Sequence, residues 1–254
     1  MDSKIKDSNN LKMKLLVNGF REFNSEIYYQ IFKQHYSPEI LKEVLAAGVE
    51  GLIILNMAGG SEATFDFLQD WHHLLRCRII DFERRSMEPL RHLAGLEYLS
   101  YDGDTRSEIM ADWFPNLRRV DIIAARCTRT FLKKESVEYA VFHELKVHRA
   151  RVDIFLPQLE TLALFSSNIE SMDEFGNSQK LKKVRLASCR KFRDSRSFEL
   201  FPDIEEIEIQ DAHCVESFEV FNELENLKKL RIEGPPRDFK TFSFRPDLNV
   251  IVQR

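Results

Sequence analysis

Four stretches of the chain carry residue types that could do chemistry. His143-Glu144-Leu145-Lys146-Val147-His148 offers two imidazoles and a carboxylate, the donor set of a zinc-protease helix. Such a site needs histidines four residues apart, so that both reach the metal from one helix face. These are five apart, and on a strand that puts them on opposite faces. Asp102-Gly103-Asp104-Thr105 begins like a calcium loop, but the later ligands that would complete one are absent, and a phosphotransferase aspartate pattern needs Thr where Arg106 stands. Ala58-Gly59-Gly60-Ser61 precedes an expected helix with Phe65, Leu68, Trp71 and Leu75, a place where phosphate docks in some folds. It has neither G-x-G-x-x-G spacing nor a P-loop lysine, so a turn and helix cap account for it. His72 and His73 are adjacent and leave a helix in different directions. No catalytic or metal constellation results, and the chain is expected to be no enzyme and to need no cofactor.

The residues that do recur at a fixed spacing are large and aliphatic. Two spacers separate the first pair and one spacer precedes a third: Leu96, Leu99, Tyr101; Leu117, Val120, Ile122; Leu159, Leu162, Leu164; Leu181, Val184, Leu186; Ile204, Ile207, Ile209; Leu227, Leu230, Ile232. Leu248 starts a further unit, and Leu74, Cys77, Ile79 and Val49, Leu52, Ile54 extend the register upstream. The period is about 22 residues. Between Leu117 and Leu159 one more unit fits, read as Val137, Ala140, Phe142 or as Phe142, Leu145, Val147; the second is preferred for its strand-forming residues, although its steps are uneven.

This phrase resembles the leucine-rich repeat, L-x-x-L-x-L followed by a small polar residue and another apolar one. Leu159 to Ile169 matches well, with Ser167 where the family usually has Asn or Cys, and Cys189 in that place in the next unit. Pro115, Pro157, Pro202 and Pro246 stand two residues before the first aliphatic, another habit of the family. The resemblance runs from about residue 49 to the end. It implies an α/β solenoid of about ten irregular units over 49–254, with a curved parallel sheet on the concave side and short helices and irregular turns on the convex side. The usual Asn ladder is mostly missing, which implies irregular turns.

Residues 1–48 do not repeat and are expected to form a helical cap. Ser25 and Glu26 open a helical segment with Ile27, Ile31, Phe32 and Tyr36. Ser37, Pro38 and Glu39 start a second helix, which Gly48 ends. Its duty is to cover the open end of the strand Val49 to Leu55.

At 254 residues, 43% hydrophobic and 31% charged, the chain can bury a long core, and its net charge of −4 defines no partner. No stretch approaches the ~18 apolar residues of a membrane span, and the polar start lacks the apolar run of a signal peptide. A cytoplasmic protein without membrane contact is expected. Cys77, Cys127, Cys189 and Cys214 are widely spaced and read as small buried or turn-filling thiols rather than disulfides. Residues 118–151 hold nine Lys or Arg against four acids, but the acidic whole and the lack of a binding motif argue against nucleic acid.

Side chains alternate along a strand, so the spacers form columns on the concave face. Near the C-terminus these alternate in charge: Lys182, Lys183 and Arg185, then Glu205, Glu206 and Glu208, then Lys228, Lys229 and Arg231. Opposite charges on adjacent strands fix register, so this end reads as a stapled ladder. In the middle the columns read Arg76, Arg78, Ile80; Tyr98, Ser100, Asp102; Arg119, Asp121, Ile123; Glu144, Lys146, His148; Thr161, Ala163, Phe165. Tyr98, Ile123 and Phe165 would expose apolar surface rimmed by charge, as a protein-binding hot spot does.

The sequence therefore points to a non-catalytic module that binds a partner protein through Arg76, Arg78, Tyr98, Asp102, Arg119, Asp121, Ile123, Lys146, His148 and Phe165. Two versions stand: an inhibitor such as an immunity protein against a bacterial toxin, and an intracellular adaptor or scaffold. The last strand, after Leu248, has no cap and opens a route to self-association.

Overall fold

A computed structural model describes residues 14–15, 20–23, 26–32, 37–55, 64–104, 106–146, 153–236, 239 and 242–253. They build a single sheet of thirteen strands whose spatial order is the chain order. The strands are β1 (Lys14–Leu15), β2 (Phe20–Phe23), β3 (Glu26–Phe32), β4 (Gly51–Leu55), β5 (Arg76–Asp81), β6 (Tyr98–Gly103) and β7 (Arg119–Ile123). They continue as β8 (Tyr139–His143), β9 (Thr161–Phe165), β10 (Lys183–Ala187), β11 (Glu206–Ile209), β12 (Lys229–Glu233) and β13 (Asn249–Gln253). From β3 onward every neighbouring pair is parallel; β1 and β2 join the first edge antiparallel.

The repeated aliphatics build this architecture. In each unit the second and third lie on the inward face of the strand and the first lies in the turn before it. Leu159, Leu162 and Leu164 are wholly shielded from water, as are Leu96, Leu99 and, almost, Tyr101. Each unit alone is one strand and a turn, and only stacking closes its apolar face. About 22 residues per unit leave few to cross the convex side, and these adopt short 3₁₀ turns, at 66–70, 88–92, 111–113, 126–133, 173–175, 195–200 and 212–214. A 3₁₀ segment rises about 2.0 Å per residue and spans more length than an α-turn. The segment expected as a helix through Leu75 is one of these, ending at Asp70. Phenylalanines fill the space beneath: Phe114 stacks on Phe131, and Phe218 meets Phe239 edge-on at 4.8 Å.

The corner leaving the strand repeats as well. Glu144, Ser166, Ser188, Asp211 and Gly234 all have φ between 51° and 61°, and each follows the third aliphatic of its unit by two residues. Just beyond this corner, Ser167 accepts from Leu145 N at 3.1 Å and donates to Phe165 O, while the Cys189 thiol points at Leu164 O. Ser167 and Cys189 thus satisfy backbone groups at the place where the repeat usually carries Asn.

Three sequence expectations change. The first cap helix is strand β3 instead: Ile27, Tyr28, Tyr29, Ile31 and Phe32 are β-formers, and pairing with β4 outweighs their helical spacing. The second helix forms as expected, α1 (Pro38–Ala46), with Pro38 in its first turn, Val44 buried and Gly48 at φ +63° behind it. The unit after β7 uses Val137, Ala140 and Phe142, all fully buried, so the preferred reading from Phe142, Leu145 and Val147 is wrong. The final unit is one residue shorter between its first and second positions: Leu248 is buried in the core as expected, but Val250, and not Ile251, stands beside Leu230. On β13, Ile251 and Val252 remain 37% and 40% exposed. Among the described residues, no helix is long and apolar enough to cross a membrane.

Candidate functional site

The outward residues of β4 to β12 line a hollow of about 690 Å³ on the concave face. Its centre is set by β8, whose outward residues are Tyr139, Val141 and His143. Beside them on β9 stand Thr161, Ala163 and Phe165. Val141 and Ala163 are small and make a low floor. Tyr139 and Thr161 rise on one side, His143 and Phe165 on the other, about 13 Å apart along each strand at the ~3.3 Å rise per residue.

Two side-chain rows frame this floor. In the first, the Arg119 guanidinium lies 5.2 Å from the Tyr98 ring and 5.9 Å from the Tyr139 ring, and Arg76 lies 5.8 Å from the Tyr28 ring. Glu26 joins them, at 3.6 Å from both Arg76 and Arg119, and accepts from the Tyr28 hydroxyl at 2.8 Å. Tyr28 lies flat across Gly51, where a Cβ would come within 2.6 Å of the ring, so glycine alone leaves room for it. Burial, with the Asp121 charge adding to it, pushes the Tyr98 phenol up to about 12, and the same causes raise Tyr139. Burial raises Tyr28 too, reinforced by its bond to Glu26.

The second row crosses five strands. Asp121 Oδ1 is 3.0 Å from His143 Nε2; the His143 ring stacks on Phe165 at 5.0 Å and 15°; Arg185 lies 5.3 Å from the Phe165 ring; and Glu208 is 3.3 Å from Arg185. Phe165 is thus held between an imidazole and a guanidinium, each anchored by a carboxylate. Ser100 is two strands and two residues from His143, about 12 Å at the ~4.8 Å strand spacing and ~3.3 Å rise, beyond the reach of a nucleophile and its base. Among the described residues no His, Cys, Asp and Glu group has metal-holding geometry.

The charge ladder closes the C-terminal side. Lys183 meets Glu206 at 3.2 Å and Lys228 meets Glu205 at 3.2 Å, while Lys182 turns to Glu160 and Arg231 to Glu233.

Of the residues singled out from sequence, Arg78, Tyr98, Asp102, Arg119, Asp121 and Phe165 line the hollow. Arg76 and Ile123 lie on the same sheet face outside that lining. Tyr98 is only 7% exposed, because Arg119 and its neighbours cover it, so it is a buried wall and not an open apolar surface. Lys146 is past the end of β8, in a single bridge to Asn168, and has no place in the columns; His148 lies outside the described residues, as does Ala58-Gly59-Gly60-Ser61. The misplaced register had put these two residues where Val141 and His143 belong. Sequence reading also missed Tyr139 and Glu26. The even spacing of Leu117, Val137 and Leu159 was the signal for the first, and the β-formers around Glu26 were the signal for the second.

No family model and no curated protein matches the sequence. Solved structures do resemble it. An internalin of Listeria monocytogenes superposes with a TM-score of 0.53 at 11% identity, over 80% of this chain and 65% of that one. Toll, in the Drosophila Toll and Spätzle complex, superposes at 0.57 and 13% identity, over 92% of this chain and 38% of that one. The chain spans less than two thirds of either protein, and likeness at such identity is likeness of fold. With eleven parallel strands in chain order and the same aliphatic phrase in the units of β4 to β12, the chain is a leucine-rich-repeat solenoid.

Proposed function

We propose that the chain binds another protein on its concave face, over β6 to β10, and does no chemistry there. The observation that carries this reading is the hollow itself: a low floor of Val141 and Ala163 walled by Tyr139, Phe165 and His143 and ringed by charges. Its 690 Å³ is in the ~300–1,000 Å³ range of ligand pockets, enough for a loop or one helix of a partner but not for a whole domain. Aromatic anchors at the centre with charge around them are the make-up of a binding hot spot. Solenoids of stacked repeats serve as protein-binding scaffolds because the stack makes an extended concave surface; Toll was solved bound to a protein, Spätzle.

A photo-crosslinking residue at Thr161, on the wall of the hollow, is expected to trap a protein in native extracts, whereas the same residue at Glu199, on the convex side, traps none. Equal trapping at both positions would remove the concave face from consideration. The captured partner separates two finer versions. An inhibitor, such as an immunity protein against a toxin, abolishes the activity of the purified partner in a one-to-one mixture; an adaptor leaves that activity intact and brings in a third protein.

A further inference from the structure

We infer that Glu26, in the N-terminal hairpin, is a positioning residue of the concave site, because its carboxylate holds the Arg119 guanidinium between the Tyr98 and Tyr139 rings. The inference rests on the concave-face reading above and extends the site to the cap. Glu26 is on β3 and Arg119 on β7. Four strand spacings of about 4.8 Å put their backbones roughly 19 Å apart along the sheet. The two side chains nevertheless come within 3.6 Å, which the inward curve of the sheet makes possible. Arg119 has five donors in a rigid fork and could take many rotamers over an open hollow. Its two rings attract it without selecting one orientation, since a cation is drawn to either ring face. The carboxylate supplies the missing direction. Glu26 is itself fixed, by the hydroxyl of buried Tyr28 at 2.8 Å and by Arg76 at 3.6 Å, so it enters the network already oriented. The wall of the hollow that carries Tyr139 is thus ordered from the cap, and Arg119 holds Tyr98 shielded as one consequence.

Glu26→Gln tests this, since the amide still accepts from Tyr28 and only the charge is lost. Glu50→Gln is the control, because Glu50 contacts Arg76 at 3.7 Å and does not reach Arg119. Two readouts separate positioning from simple support. In the first, the Arg119 Nε–H resonance should lose its ring-current shift in Glu26→Gln and keep it in Glu50→Gln, with the melting temperature of both close to that of the unaltered chain. In the second, the probe is a twelve-residue peptide selected from a random phage library on the intact chain and released by Ala163→Arg. Its dissociation constant should rise about fivefold to tenfold in Glu26→Gln, the loss of one charge-assisted contact. An Arg119 resonance that keeps its ring-current shift in Glu26→Gln, or undiminished peptide affinity in that variant, overturns the role of Glu26. A library that yields no peptide sensitive to Ala163→Arg would instead overturn the concave-face reading, and the Arg119 resonance would still decide whether Glu26 orients that side chain.

Discussion

Asp81 and Arg85 are both fully shielded from water, 2.9 Å apart, with Glu83 N also donating to Asp81. Asp81→Ala should cost ~3–5 kcal/mol in urea unfolding, because it takes a carboxylate partner from a buried guanidinium; a loss below 1 kcal/mol would mean that the other contacts of Arg85 suffice to hold its charge. The thiols are equally specific. Burial pushes Cys77 up to about 12 and Cys189 up to about 11, and Cys127 is buried as well, while Cys214 is exposed. A thiol reagent at pH 8 should modify one cysteine per native chain, Cys214, and the remaining three only after unfolding. Tyr98 gives the pH dependence. Its phenol ionises near 10 when unfolded and near 12 when folded, so the folded chain favours the protonated form. Stability should be unaffected up to about pH 10 and fall toward pH 12 by up to roughly 2–3 kcal/mol from this residue. Tyr98→Phe should flatten that part of the fall, and an unchanged slope would show that the phenol does not contribute. The buried thiols were legible in the sequence, whereas the Asp81 and Tyr98 environments were not, since these owe theirs to neighbours 4 and 21 positions away in sequence, Arg85 and Arg119.

At the scale of elements, the aliphatic phrase was legible because it has a physical cause, the burial of three positions per repeat that no single unit can achieve. Where the phrase is clean, as from Leu159 to Ile232, register, charge ladder and the Ser167 and Cys189 corner follow from the sequence as read. Around β8 two aliphatic triplets overlap at Phe142, and local strand propensity selected the wrong one; the left-handed corner at Glu144 belongs with Val137, Ala140 and Phe142. At β3 it was the helical spacing of Ile27, Ile31 and Phe32 that misled, against the strand propensity of the same residues, and pairing with β4 decides for the strand. Register of the ladder can be tested by charge. Glu206→Lys places a third cation between Lys183 and Lys229 and should cost ~0.5–1 kcal/mol at low salt, less at high salt, with Lys183→Glu in the same chain restoring most of it. A cost independent of Lys183 would contradict the pairing.

The whole molecule joins a rigid spine to a chemically uneven inner surface. The aliphatic spine is continuous from β3 to β12, so substitutions on the concave face leave it in place. One end of that face is closed by paired charges, the other by the hairpin through Glu26, and the aromatic floor lies between. The candidate site was partly legible: six of the ten residues proposed from sequence line it, whereas Tyr139, Val141 and His143 depended on a register that only the stacked strands define. The central claim is that a partner protein seats on this floor. Its most direct measurement is the affinity of the crosslinked partner for the unaltered chain and for Ala163→Arg, which fills the floor between Val141 and Arg185 and leaves Arg119, His143 and Phe165 unsubstituted. The account predicts at least a hundredfold weaker binding, on the order of the ~3 kcal/mol lost when a hot-spot pocket is blocked, at an unchanged melting temperature; equal affinity in the two chains would contradict it.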